Sequence, residues 1–147
     1  MCLLISLKMV IREGFNGSPH RENKFMARVL VIEDEDHIWK IIQYKLKSEN
    51  HEPIWAKDGL QAMKILEEIK PDLIISDIMV PYLDGIQILK KIRSKEELKD
   101  IPVIMLTSKS QEKDVITGLK MGAQDYITKP FSPAELILRV NKILKLV

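Results

Sequence analysis

A chain of 147 residues that is 46% hydrophobic and 30% charged is large enough for one domain with a real core and is not composed like a disordered protein. The 23 basic and 21 acidic residues give a formal charge of +2. Because residues 1–25 hold Lys8, Arg12, Arg21 and Lys24 against only Glu13 and Glu22, the remainder is neutral and lacks the electrostatic footprint of a direct nucleic-acid binder.

The chain opens with MCLLISLKMVI, which Lys8 interrupts and which lacks a basic leader and a small-residue cleavage site, so no secretory signal is expected. No apolar run approaches the roughly 18 residues that span a bilayer, so no membrane role is expected. The single Cys2 cannot form an internal disulfide, and no Cys or His pairs stand at zinc spacing, which fits a cytoplasmic location. Residues 13–25 are polar with Gly, Pro and Asn and no apolar period. Residues 1–25 therefore read as a tail, either disordered or the product of an early start assignment ahead of Met26, and residues 26–147 as the domain.

From Arg28 onward, apolar runs alternate five times with helical periods, the pattern of a parallel sheet wrapped by helices on both faces. Strands are predicted over 28–33, 53–56, 73–77, 102–107 and 124–128. In the first helix Ile38, Ile41, Ile42 and Leu46 form the buried face, and Asp36 is the expected cap. The second opens at Lys57-Asp58-Gly59, buries Ala62, Met63, Leu66 and Ile69, and ends before Pro71. Asp84 caps a third that carries Ile86, Leu89 and Ile92. A fourth, about 112–121, is weak, because Gly118 in its middle costs roughly 1 kcal/mol relative to Ala. Ser132 and Pro133 open a fifth, with Leu136, Ile137, Val140, Ile143 and Leu144 on one face.

Polar residues stand at the ends of the apolar runs: Glu33-Asp34 after VLVI, Asp77 after LIIS, Thr107 after PVIML, and Lys129-Pro130 after DYIT. Parallel strands bring their carboxyl ends to one edge, which gathers three carboxylates, a hydroxyl and an ammonium. Each alone has a bland reading: a strand-ending Asp that caps a turn, a solvated acidic helix start, a common strand-end Thr, a plain salt bridge. Together they differ, because three clustered carboxylates repel unless a cation neutralises them, and an all-oxygen set suits Mg²⁺. Pro130 constrains the backbone beside Lys129, and the bond between them is a candidate cis peptide.

In this order and spacing VLVIEDE, LIISDIMVPYLDG, PVIMLTS and DYITKPF resemble the receiver domain of two-component response regulators over residues 28–146. The resemblance implies a flavodoxin-like, doubly wound five-stranded sheet of order 2-1-3-4-5 with five helices. It implies Asp77 as phospho-acceptor, Asp34 and Asp77 with the backbone carbonyl of Met79 as Mg²⁺ ligands, and Glu33 acting mostly through metal-bound water. Lys129 would pair with a phosphoryl oxygen and Thr107 would move to hydrogen-bond it, while Tyr126 turns inward with Thr107. Pro81 and Gly85 match positions that shape the loop after the acceptor. The phosphoryl donor would be a sensor histidine kinase or a histidine phosphotransfer protein, and slow autodephosphorylation would reset the switch, so no multiple-turnover metabolic enzyme is expected.

In a phosphatase of the haloacid dehalogenase type the nucleophile ends the first strand as the first Asp of an Asp-x-Asp pair, a position that Glu33-Asp34-Glu35 fills with Glu33, and a flavin or nucleotide binder needs a phosphate loop that is absent. Two alternatives stay open: a receiver-like docking module that is not phosphorylated, and a receiver fragment of a DNA-binding transcriptional regulator. The sequence stops after the fifth helix, which leaves two expectations for output, docking to a downstream protein target as a stand-alone receiver or action as a piece of a longer regulator. GLKMGAQDYITKPFSPAELILRV also resembles the dimerising face of winged-helix regulators, with Asp125, Glu135 and Arg139 at its charged positions. It departs at Val115, where a basic residue is usual, and at Gln124, where Asp is usual. A homodimer through the 112–145 face is therefore expected to be weak or absent.

Overall fold

The computed structural model describes residues 27–108 and 112–145. The 1–25 tail and the side chain of Val115 lie outside the described residues. Five strands form one parallel sheet, β1 (Arg28–Ile32), β2 (Glu52–Ala56), β3 (Leu73–Asp77), β4 (Val103–Thr107) and β5 (Asp125–Thr128), in the order β2-β1-β3-β4-β5. Between and after them run α1 (Asp36–Ser48), α2 (Gly59–Leu66), α3 (Gly85–Ser94), α4 (Glu112–Lys120) and α5 (Pro133–Ile143). This is the doubly wound sheet expected from the sequence.

Alternation along β1 decides the two cores. Leu30 and Ile32 face one side with Ile74, Met105 and the apolar stripes of α2 and α3; Val29 and Val31 face the other with Ile75, Leu106 and the stripes of α1 and α5. The central strands β3 and β4 are buried along their whole length, as a sheet covered on both faces requires.

Capping follows the chemistry of the residues before each helix. Asp84 accepts from the Gln87 N–H and the Gln87 side chain returns to the Asp84 N–H, a reciprocal capping box. Asp58 and Ser132 accept from the third residue of α2 and α5. Asp36, in contrast, is not a cap: Glu35 holds the N-cap position with no side-chain bond, and Asp36 sits in the first turn with its carboxylate 3.8 Å from Lys57.

Two further helix details differ from expectation. On α1 the buried stripe is Trp39, Ile42 and Leu46, and Ile41 is exposed; at 100° per residue Ile41 lies about 200° from Trp39 and cannot share its face. The helix α2 ends at Leu66, and Ile69 reaches the core from the turn that follows, where Ile69 N–H still bonds the Ile65 carbonyl.

Glycine is required where α3 begins. A Cβ on Gly85 would meet the Asp77 carbonyl at 2.6 Å and Ile78 Cα at 2.9 Å, both backbone atoms that cannot yield cheaply. Only glycine lets the α3 entry lie this close to the end of β3, and Gly85 N–H bonds the Ile78 carbonyl at 2.8 Å. Gly118 has more room: a Cβ there would lie 3.4 Å from Ile86 Cδ1.

Candidate functional site

The ladder continues past the strand ends and fixes the loops that carry the polar residues. Glu33 N–H bonds the Ala56 carbonyl at 3.0 Å, Ile78 N–H bonds the Leu106 carbonyl at 3.0 Å, and Lys129 N–H bonds the Thr107 carbonyl at 2.6 Å. The residues that follow β1, β3, β4 and β5 are thereby held at one edge of the sheet.

At that edge the Lys129 ammonium hydrogen-bonds Asp77 Oδ2 at 2.5 Å and lies 3.0 Å from Glu33 Oε1 and 3.7 Å from Glu35 Oε1. The Lys129-Pro130 peptide is cis. Glu33 is fully buried and Asp77 nearly so. Asp77 Oδ1 accepts from Met79 N–H at 3.1 Å, which ties the acceptor carboxylate to the start of the following loop. Thr107 is buried beside it, its hydroxyl donating to the Ser108 carbonyl at 3.1 Å, while Tyr126 on β5 is 40% exposed.

Asp77 and Glu33 therefore meet at Lys129, and Thr107 ends the strand β4 that pairs with β3. The third carboxylate of the cluster is Glu35: one oxygen from each of Glu33, Glu35 and Asp77 lies within 4.8 Å of the others. Asp34 is exposed and outside this trio. The cause is local, because Glu35 N–H bonds Glu33 Oε2 at 3.2 Å and so folds the loop back toward the strand. In sequence, Glu35 reads only as part of an acidic helix start.

The electrostatics are those of an under-neutralised anionic site. Burial pushes the Glu33 carboxyl up from 4.5 to about 7, the charge of Asp77 adds to the push, and Lys129 with the Glu35 N–H pulls back. For Lys129, burial alone would lower the pKa, but the hydrogen bond to Asp77 and the charges of Asp77 and Glu33 outweigh it and the net shift is upward. Glu33 Oε1 meets the ammonium as an ion pair without the alignment of a hydrogen bond, so a buried carboxylate oxygen keeps unused acceptor capacity. One ammonium against three carboxylates, with a buried oxygen to spare, is a donor set that fits a hard divalent cation such as Mg²⁺.

This crowding sets the pH dependence of folding. A carboxyl whose pKa is raised by folding stabilises the fold fully below its unfolded value, and that contribution is lost as pH climbs through the folded value. Metal-free protein is expected to lose stability between pH 5 and pH 8, by on the order of 3 kcal/mol for a shift of this size. The Lys129 shift lies above that window and adds no slope. Urea titrations at both pH values measure the effect; Glu33→Gln should flatten it, and Mg²⁺ should reduce it.

Two other arrangements carry no local sequence signal. Trp55 Nε1–H donates to the Glu33 carbonyl at 2.8 Å, and the Trp55 ring stacks on Trp39 with centroids 5.0 Å apart and planes 7° from parallel. Arg93 donates to the carbonyls of Lys99, Ile101 and Gly122 and to Gln124 Oε1, which also accepts from Val103 N–H at 2.7 Å. Gln124 is thus engaged within the fold, bridging α3 and β4.

Residues 29–141 match the family model for the response regulator receiver domain. The chain is 45% identical over 118 residues to the alkaline phosphatase synthesis transcriptional regulatory protein PhoP of Bacillus subtilis, covering 80% of this chain and 48% of that protein. It is 42% identical over 118 residues to the phosphate regulon transcriptional regulatory protein PhoB of Escherichia coli K12, covering 80% and 52%. The chain spans about half the length of these curated relatives. Among solved structures, the receiver domain of a sensor histidine kinase from Pseudomonas aeruginosa PAO1, with a magnesium ion coordinated in its active site cleft, superposes with a TM-score of 0.73 at 30% identity, over 80% of this chain and 97% of that one. A family match that runs from β1 into α5, on a sheet of the expected strand order, makes this chain a member of the response regulator receiver domain family.

Proposed function

We propose that this domain accepts a phosphoryl group on Asp77 from a phosphohistidine of a sensor histidine kinase or histidine phosphotransfer protein and switches conformation in response. The observation that carries the reading is the nearly buried Asp77 carboxylate, held by the Met79 N–H on one oxygen and by Lys129 on the other. An Asp77 oxygen attacks phosphorus as the bond from phosphorus to the histidine nitrogen breaks, and the ring leaves. Lys129 offsets charge on the transferring group from its position at Asp77 Oδ2. Mg²⁺ would be held by Asp77, the Met79 carbonyl and, by the family resemblance, Asp34, which lies outside the Glu33, Glu35 and Asp77 trio of the metal-free fold, with Glu33 acting through bound water, and when bound it would supply further charge neutralisation. Thr107, beside Asp77, and Tyr126, on the surface of β5, would carry the change to α4, β5 and α5. Incubation with acetyl phosphate and Mg²⁺ tests the proposal: one base-labile phosphoryl group should appear on the peptide that contains Asp77, and its absence from that peptide would overturn the assignment.

Output through a homodimer of the 112–145 face is the weaker part of the reading. Arg139 donates to Asp125 at 2.7 Å and to Glu135 at 3.2 Å, pairs already made within one chain. Ile116, Leu119 and Leu138 leave apolar side chains exposed on α4 and α5. Exposed ion pairs contribute roughly 0.2 to 1 kcal/mol each, so the beryllofluoride-treated domain should sediment as a monomer at micromolar concentration; a stable dimer would mean that apolar packing dominates.

A further inference from the structure

Trp55 stands on β2, outside the carboxylate cluster, yet its indole N–H is committed to the Glu33 main chain. Glu33 is held from both sides of its own backbone by β2: its N–H bonds the Ala56 carbonyl at 3.0 Å and its carbonyl accepts the Trp55 Nε1–H at 2.8 Å. The ring that donates is itself fixed. It stacks on Trp39 of α1 at 5.0 Å, and the Lys57 ammonium sits 4.9 Å from its centroid while also pairing with Asp36 at 3.8 Å. The acidic segment from Glu33 to the first turns of α1 is therefore tied to β2 at three places.

Such a tie matters because Glu33 is under stress. Its carboxylate is fully buried, repelled by Asp77 and incompletely neutralised by Lys129. A loop carrying that charge lowers its energy by swinging the carboxylate toward water unless the backbone is held. A half-buried indole that can donate to only one acceptor, locked by stacking, is suited to hold it.

We infer that Trp55 is a positioning residue for the cation and phosphoryl pocket, which it keeps assembled by anchoring the Glu33 carbonyl. The inference rests on the proposed function. Trp55→Phe removes the N–H and keeps most of the ring area, whereas Trp39→Phe perturbs the same stack and leaves the indole donor in place. A single hydrogen bond contributes about 0.5 to 1.5 kcal/mol, which corresponds to roughly a 2- to 13-fold change in an equilibrium constant.

The test is a Mg²⁺ titration of the folded domain by calorimetry, beside the rate of phosphorylation by acetyl phosphate as a function of Mg²⁺. Trp55→Phe should weaken Mg²⁺ binding by roughly that factor and recover near-normal phosphorylation at saturating Mg²⁺. Trp39→Phe should bind Mg²⁺ normally even where its melting temperature falls as far. In the unaltered protein, the indole N–H signal that Trp55→Phe deletes should shift on Mg²⁺ addition in a nitrogen-proton correlation spectrum. Unchanged Mg²⁺ affinity in Trp55→Phe, or equal weakening in both variants, would overturn the positioning role while leaving the phosphoryl acceptor intact. Failure of the unaltered protein to bind Mg²⁺ would overturn both.

Discussion

Asp77→Asn is expected to abolish phosphoryl incorporation from acetyl phosphate, down to the background of the assay, while the metal-free domain keeps or gains thermal stability. The two effects have opposite signs because Asp77 does opposite things to chemistry and to folding. An amide oxygen is too weak a nucleophile to displace the leaving group, so labelling disappears. In the resting fold, however, the Asp77 charge helps push the Glu33 carboxyl up to about 7, and an amide removes that repulsion. The amide oxygen can still accept from the Met79 N–H, the bond that ties position 77 to the following loop. What is lost is the hydrogen bond from Lys129, whose ammonium keeps Glu33 at 3.0 Å and Glu35 at 3.7 Å. Mass spectrometry of the labelled peptide and a melting curve without metal read the two effects separately. A collapse of stability would make Asp77 a structural residue, and labelling of the variant would move the acceptor elsewhere.

Much of the site was legible because parallel strands convert sequence position into spatial position. An apolar run that ends in a polar residue delivers that residue to one edge, and Glu33, Asp77, Thr107 and Lys129 all arrive there by this rule. The caps at Asp84 and Ser132 follow from equally local chemistry, whereas the strand order is legible only through the family resemblance. The rule fails where a loop decides. Of Asp34, Glu35 and Asp36, adjacent exposed acids with the same composition signal, Glu35 joins the cluster, Asp36 faces Lys57 and Asp34 lies outside the trio, and the bond from the Glu35 N–H to the Glu33 carboxylate sets Glu35 apart. Ile41 has the residue type of a core position, but angular position on the helix decides, and it favours Trp39. The Trp55 and Gln124 contacts pair residues 22 and 21 positions apart, across elements whose mutual packing no local pattern encodes.

Lys129→Met is expected to be the most destabilising single change at this edge. The methionine keeps an unbranched stem of similar length, so the loss is of charge and donors and not of packing. Removing one partner of a buried ion pair leaves the other uncompensated and costs about 3 to 5 kcal/mol. Here the ammonium serves Asp77, Glu33 and Glu35 at once. The cost must depend on pH in a set direction. Lys129 pulls the Glu33 carboxyl down, so without it the carboxyl titrates still higher, and below that point the neutral acid needs no counter-ion. The deficit relative to the unaltered domain should therefore be largest near pH 8 and shrink toward pH 5. A divalent cation should restore part of the loss, since it supplies the missing positive charge to the same carboxylates. Phosphorylation should not recover in parallel: removing one preorganised donor to a developing charge typically costs about 100- to 1,000-fold in rate, and the donor lost is the one that hydrogen-bonds Asp77 Oδ2. Urea titrations at both pH values, with and without Mg²⁺, and the acetyl phosphate rate at saturating Mg²⁺ check the two halves. A variant as stable as the original at pH 8 would show that Glu33 is already neutral in the resting fold, and a normal rate would remove Lys129 from the phosphoryl-transfer step.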